Sequence, residues 1–213
     1  MAEKNQYFPH LFEPLKVGSK TIKNRIEAAP ALFAFEHYIE LDPDPFGYTT
    51  PVPERAFRML EAKAKGGAGI VCFGELSPNH EYDKRFPFEP YIDFTSRSDK
   101  TFEITKATAD MIKSYGALAI GELISCGEIK TNIGDGINPK GPSEKDLPDG
   151  THVDAFTKEE ILSCYQDYVT ACKWFEAAGW EGVMIHCGNG WLPAQFLSPQ
   201  YNKRTDEYGG SFE

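Results

Sequence analysis

Three short apolar runs, Ala68–Phe73, Ala117–Leu123 and Gly182–Ile185, each follow a helix-patterned stretch that ends in glycine. The glycines are Gly66-Gly67, Gly116 and Gly179, and such residues close helices because they adopt the left-handed conformation without a Cβ penalty. Ala68–Phe73, a continuous apolar run with flanking glycines, suits a parallel strand covered on both faces better than a half-exposed one. Strand and helix in strict alternation demand a parallel sheet with right-handed crossovers, so the fold class is α/β.

The pattern begins with a hairpin between Leu15 and Ile26, turning at Gly18-Ser19, and a first main strand over Arg25–Ala29. A helix is expected from Pro53, with Ala56, Leu60 and Ala64 on one face. Ser98 is the expected cap of the next, whose stripe reads Ile104, Thr108, Met111 and Tyr115. Thr157-Lys158-Glu159-Glu160 has the form of a capping box, and Ile161, Tyr165, Tyr168, Cys172 and Phe175 form the stripe behind it. Phe33–Thr50, Glu75 to about Arg97 and Asn132–Asp154 read as long loops. They follow strands one, two and three, the side on which barrel enzymes build their sites.

With 41% hydrophobic and 13% aromatic residues the chain has enough apolar matter for a core. The 22 Lys and Arg against 32 Asp and Glu give a net charge of −10 without a basic cluster, which argues against a nucleic-acid partner. The polar start lacks the apolar core of a signal peptide, and no run approaches bilayer length, so the expectation is a cytoplasmic protein that does not engage membranes. Five cysteines without a Cys-x-x-Cys pair signal neither a disulfide framework nor a metal site.

The chemistry concentrates where the fourth strand ends. His186 and Asn189 stand three residues apart, with Asn189 inside Gly188-x-Gly190, and glycines there permit a bend that aims both side chains at one ligand atom. A histidine at a strand end is equally compatible with a structural role.

This segment, the run Asn202-Lys203-Arg204-Thr205-Asp206-Glu207-Tyr208-Gly209-Gly210-Ser211, Asn24-Arg25-Ile26 with Ala29-Pro30, Gly66–Val71 and Gly141-Pro142-Ser143 together resemble the old yellow enzyme family of FMN-dependent NADH:flavin oxidoreductases. The resemblance runs over nearly the whole chain and matches the N-terminal half of such enzymes. It implies a TIM-barrel type (β/α) fold, truncated to about the first four strands, with an N-terminal β-hairpin, residues 1–213 forming a single partial barrel domain. The implied cofactor is FMN, with its phosphate site in the C-terminal half, and NAD(P)H is the implied electron donor.

The implied reaction is of ene-reductase type: hydride passes from reduced flavin to an alkene conjugated to a carbonyl. The expected partner is a small molecule with a carbonyl or phenolic oxygen. By the same resemblance His186 and Asn189 grip that oxygen. The third catalytic candidate, Trp191, stands where relatives place a proton-donating tyrosine; an indole N–H is too weak an acid for that task, so Trp191 is alternatively a pocket wall. The implied flavin contacts are Ala29, Pro30, Ala31 and Leu32, then Gly74 and Glu75, then Glu122, and His186.

Glu122 replaces the glutamine of relatives at the flavin pyrimidine edge, and Ser125 follows three positions later. Arg204, Asp206 and Tyr208 are expected to tie their loop to the barrel rim. The 213 residues alone are expected to be inactive, pairing with a complementary half barrel or with themselves. The alternatives are a non-catalytic half-barrel scaffold and an unrelated barrel enzyme such as an aldolase, for which no lysine sits at a convincing strand end.

Overall fold

The computed structural model describes residues 7–31, 54–78, 92–129 and 136–211. The expected loop Phe33–Thr50, most of the second loop, Leu32 and Pro53 lie outside them. The chain divides into two compact units: residues 1–75, 92–122 and 172–184, and residues 76–91, 123–171 and 185–213.

The first unit opens with the expected hairpin, β1 (Leu15–Val17) against β2 (Lys20–Ile22), antiparallel with Leu15 opposite Ile22. Gly18 turns it at φ 57°. The main sheet has four strands in chain order: β3 (Glu27–Ala28), β4 (Ile70–Leu76), β5 (Leu118–Leu123) and β9 (Gly182–Ile185). Glu27 pairs with Ile70 and Ala28 with Val71 in parallel register. Leu118 and Ile124 N–H donate to the Gly69 and Leu76 carbonyls, and Glu181 and His186 N–H donate to those of Ala119 and Leu123. Both ladders advance in the same direction along each strand, so the sheet is parallel throughout.

Helices bridge these strands. α1 (Glu54–Lys65) buries Ala56, Leu60 and Ala64, the predicted face. Val71, Cys72 and Phe73 in β4 are completely buried, as a strand covered on both sides requires. α2 (Lys100–Ser114) departs from expectation twice. Its N-cap is Asp99, whose carboxylate accepts the Phe102 N–H at 2.8 Å, rather than Ser98. Its buried face is Phe102, Thr105, Thr108, Ala109 and Ile112, so the expected stripe holds at Thr108 alone.

α3 (Lys158–Ala177) begins with the predicted capping box: Glu160 N–H donates to Thr157 Oγ1 at 3.2 Å, and Thr157 N–H to Glu160 Oε2 at 2.9 Å. Its stripe also shifts. Tyr165 is 61% exposed, and the buried positions along and just past the helix are Cys164, Ala171, Trp174, Phe175 and Ala178. The packed face thus mixes small residues, Cys164, Ala171 and Ala178, with Trp174 and Phe175, and the expected stripe holds at Phe175.

The aromatic core belongs to the first unit. Phe175 lies 5.5 Å from Trp174 and 5.3 Å from Trp180, both edge-on, and Phe94 meets Trp174 at 5.3 Å. The buried indoles are satisfied, with Trp174 Nε1 donating to the Ser96 carbonyl and Trp180 Nε1 to that of Thr105.

The second unit corrects the third expected loop. Within Asn132–Asp154 the structure forms β6 (Lys140–Gly141), β7 (Lys145–Asp146) and most of β8 (His152–Ala155). β8 is central, parallel to β6 and antiparallel to β7. Strands of two to four residues are too short to reveal alternation, and the Gly, Pro, Asn and Asp between them dominate the composition. α4 (Leu192–Leu197) closes the unit, burying Leu192 beside Phe156 and Cys164.

Candidate active site

The His186 loop is built from the end of β9. His186 N–H pairs with the Leu123 carbonyl at 2.9 Å, which extends the ladder one residue past the strand. The Gly188 N–H then donates to His186 Nδ1 at 3.2 Å. A ring nitrogen that accepts carries no proton, so the neutral imidazole holds its hydrogen on Nε2 and presents it as a donor. Trp191 N–H closes a turn onto the Gly188 carbonyl at 3.1 Å. Both central residues are left-handed, Asn189 at φ 53° and Gly190 at φ 83°. Asparagine tolerates this conformation better than most side chains, so the turn is specified by Asn189 itself and Gly190. Asn189 is exposed, and its carboxamide has no hydrogen-bond partner among the described residues.

Trp191 is 8% exposed and packs on Ile124 and Cys126, with its ring centroid 5.9 Å from that of His186. It therefore forms a wall against which the imidazole leans. Cys187 is exposed, whereas Cys72, Cys126 and Cys164 are buried.

A residue that the motifs do not single out holds this loop. Gln195 is completely buried in α4; its Nε2 donates to the Gly190 carbonyl at 2.7 Å and the Cys126 carbonyl at 3.0 Å, while its Oε1 accepts the Glu128 N–H at 3.1 Å. One hydrogen-bond donor and two acceptors around one amide also fix which end is oxygen. The sequence offers a weak hint: a glutamine among apolar helix positions, next to Phe196.

The rim motif behaves as expected. Arg204 Nε and Nη2 grip Asp206 at 2.9 and 2.6 Å, while Nη1 donates to the Pro142 and Phe156 carbonyls. Tyr208 N–H donates to Asp206. Asn202 Nδ2 reaches the Phe196 and Tyr208 carbonyls, and Lys203 N–H donates to Ser143 Oγ at 2.8 Å. Two segments sixty residues apart, Gly141-Pro142-Ser143 and Asn202–Tyr208, are thus one structural feature. The hydrogen bond from Arg204 holds the Asp206 carboxyl below the usual carboxylate range.

In the first unit, Ala29, Pro30 and Ala31 follow β3; both alanines are exposed, and Lys63 Nζ donates to the Ala29 carbonyl at 3.2 Å. Leu32 lies outside the described residues, as does the side chain of Glu75. Gly74 in β4 and Glu122 in β5 are buried together. A Cβ at Gly74 would come within 2.9 Å of Glu122 Oε2 and closer still to its Cβ. The small residue is thus demanded by the close approach of the Cβ at position 122 on the next strand. Nearby Cys72 donates to Glu27 Oε1 at 3.2 Å; burial first, then that bond, pushes its thiol far up and leaves it inert. Ser125 is buried just after β5, and its carbonyl accepts the Leu192 N–H.

Among the described residues, no group of three or more His, Cys, Asp or Glu could hold a metal ion, and no helix is long and apolar enough to cross a membrane.

Comparison with known proteins gives these features their family. An NADH oxidase of Thermoanaerobacter brockii is 28% identical over 209 residues, which is 97% of this chain and 30% of that protein. Enoate reductase 1 of Kluyveromyces lactis is 58% identical over 57 residues, 27% of this chain and 14% of the other. The structure of morphinone reductase in complex with tetrahydroNAD superposes with a TM-score of 0.75 at 26% identity, covering 95% of this chain and 56% of that one. The chain spans from 27% to 52% of the length of the curated relatives that it matches over nearly its whole extent. The sequence profile of the FMN-dependent NADH:flavin oxidoreductase / NADH oxidase family matches residues 10–213, and to that family the chain belongs.

Proposed function

We propose that these residues supply the substrate-gripping half of an FMN-dependent ene-reductase, with NAD(P)H as electron donor and a carbonyl-conjugated alkene as substrate. The observation that carries the reading is the His186 tautomer: Gly188 occupies Nδ1, so Nε2 is a fixed donor, and the free Asn189 carboxamide follows on the same turn. Two neutral donors suit a carbonyl oxygen that becomes enolate-like, and neither has to exchange a proton.

The flavin contacts are assigned, as the family likeness implies, to Ala29, Pro30, Ala31, Leu32, Gly74, Glu75, Glu122 and His186; of the described residues, Ala29, Pro30 and Ala31 follow β3, Gly74 lies in β4, Glu122 in β5, and His186 follows β9. The residues present fit such a ring: exposed alanines permit close approach, and His186 offers an N–H. Bound FMN supplies hydride chemistry at the alkene β-carbon. Glu122 is buried beside Gly74, and as a carboxylate at the pyrimidine edge it would oppose negative charge on the reduced ring and lower its potential, unless it is protonated or paired with a cation. Trp191, packed in its cluster, serves as a wall, so the α-carbon proton comes from water or from another residue.

The FMN phosphate is assigned to polypeptide outside residues 1–213, in keeping with the length of the relatives. These residues form one partial barrel domain of about four strands that is inactive alone and pairs with a complementary half or with a second copy. A stable monomer in size-exclusion chromatography with light scattering counts against that pairing. A second reading, a non-catalytic half-barrel scaffold, is favoured by Trp191 replacing an acidic phenol.

Titration of the purified protein with FMN, followed by 4-hydroxybenzaldehyde, separates the two. Ene-reductase ancestry with function predicts a shifted flavin spectrum and a phenolate band that weakens at least tenfold in His186→Ala and Asn189→Ala. Absence of flavin binding, both alone and with the complementary polypeptide, establishes the scaffold.

A further inference from the structure

Resting on the reading of His186 and Asn189 as an oxyanion grip, we infer that Gln195 is the positioning residue that sets its geometry. The turn holding Asn189 is not self-sustaining. A left-handed asparagine is disfavoured, and among the described residues the backbone bond that closes the turn runs from Trp191 N–H to the Gly188 carbonyl. Gln195 adds the second restraint from below, donating to the Gly190 carbonyl, the peptide immediately after Asn189.

The same amide binds both sides of the loop that follows β5, through the Cys126 carbonyl and the Glu128 N–H. Gly127 stands between those two, at φ 60°, and any Cβ there would collide with the Gln195 amide. The loop has therefore left out a side chain to admit the glutamine. All three partners are main-chain groups 5, 67 and 69 residues away, so no change in a neighbouring side chain substitutes for them. Burial makes the arrangement unforgiving, since an apolar replacement strands two carbonyls and one N–H without water.

Gln195 itself is sealed beneath the loop. It touches no ligand and acts through the turn, which distinguishes it from His186 and Asn189.

The test measures 4-hydroxybenzaldehyde and FMN affinities of the flavin-loaded protein, together with hydrogen exchange of the 188–191 amides. Gln195→Met is expected to weaken the probe about tenfold or more, leave FMN within twofold, and speed exchange at Gly190 and Trp191. Gln195→Glu keeps the acceptor for Glu128 N–H but turns a charged oxygen towards two carbonyls. Its probe affinity relative to wild type should therefore recover as pH falls and the carboxyl protonates, a profile that a merely structural role would not produce. Thr157→Ala, a destabilised control in the same unit, should leave the probe unchanged.

The inference is overturned if both Gln195 variants bind the probe within twofold of wild type, or if probe and FMN weaken in parallel. It also falls if neither variant folds while Thr157→Ala does, because Gln195 is then a general structural element. If His186→Ala and Asn189→Ala leave the probe unaffected, the functional reading itself has failed and the inference goes with it. Loss in those two with none in Gln195→Met refutes the inference alone.

Discussion

Replacing Gly121 by alanine tests whether the parallel sheet and α3 are packed as closely as the structure requires. A Cβ at Gly121 would sit 2.6, 2.7 and 2.9 Å from Cε1, Cζ and Cδ1 of Phe175. To regain an ordinary 3.4 Å contact the ring must retreat by about 0.8 Å. It has nowhere to go, because Trp174, Trp180 and Phe94 surround it with centroids at 5.5, 5.3 and 6.2 Å. Overpacking of this kind costs about 1–3 kcal/mol, and the enclosed ring places Gly121→Ala near the top. Loss of glycine's freedom in the unfolded chain returns roughly 0.5–1 kcal/mol, leaving a net loss of about 2 kcal/mol. For a chain of this size that corresponds to a fall in Tm of about 4–8 °C. Urea unfolding followed by fluorescence of the adjacent tryptophans measures it. Shrinking the obstacle should relieve the conflict, so Gly121→Ala in a Phe175→Leu background should cost less than 1 kcal/mol. Additivity of the two substitutions within about 0.5 kcal/mol refutes the packing argument.

Gly74→Ala should lose a comparable 1–3 kcal/mol in the same assay, but trimming Glu122 to alanine should not rescue it, because the conflict lies with the Cβ that remains. His152 Nδ1 donates to Asp146 Oδ1 at 2.7 Å, and that bond raises its pKa above the ordinary value near 6.5. The stabilisation from this pair is complete below about pH 6.5 and lost as pH rises through the folded value. NMR titration should find the midpoint above 6.5, and Asp146→Asn should bring it back. Thr157→Ala, which removes one arm of the capping box, should cost about 1 kcal/mol in urea unfolding; no change would mean that Glu160 alone sustains the start of α3.

Features governed by residues within a turn of each other were legible in the sequence. The hairpin at Gly18, the capping box at Thr157, and the glycine ends at Gly67, Gly116 and Gly179 all appear where local chemistry puts them. So does the buried face of α1, where small residues leave little doubt about orientation. In α2 and α3 the buried faces mix small residues with large ones, Thr105 and Ala109 with Phe102 and Ile112, Cys164 and Ala171 with Trp174 and Phe175, so a count of large apolar side chains placed only Thr108 and Phe175 correctly, and Tyr165 projects into solvent. At the site, spacing marked His186 and Asn189 as candidates, and the structure places both on the loop that follows β9. The Nδ1 bond that fixes the imidazole proton depends on how the loop folds back at Gly188, which spacing does not encode.

By itself the sequence determined the alternation of strand and helix, hence the parallel sheet, because periodicity and helix ends act over three or four residues and leave a local trace. Only the tertiary structure decided that 140–155 forms a small sheet, that Gly74 is small because the Cβ at position 122 lies against it, and that Gln195 braces the His186 turn. Those features join groups from 5 to 69 residues apart in the chain, none of them within one strand or helix. A contact across such a distance marks each partner with nothing more than an ordinary residue type, and its meaning appears only once the backbone has brought the two together.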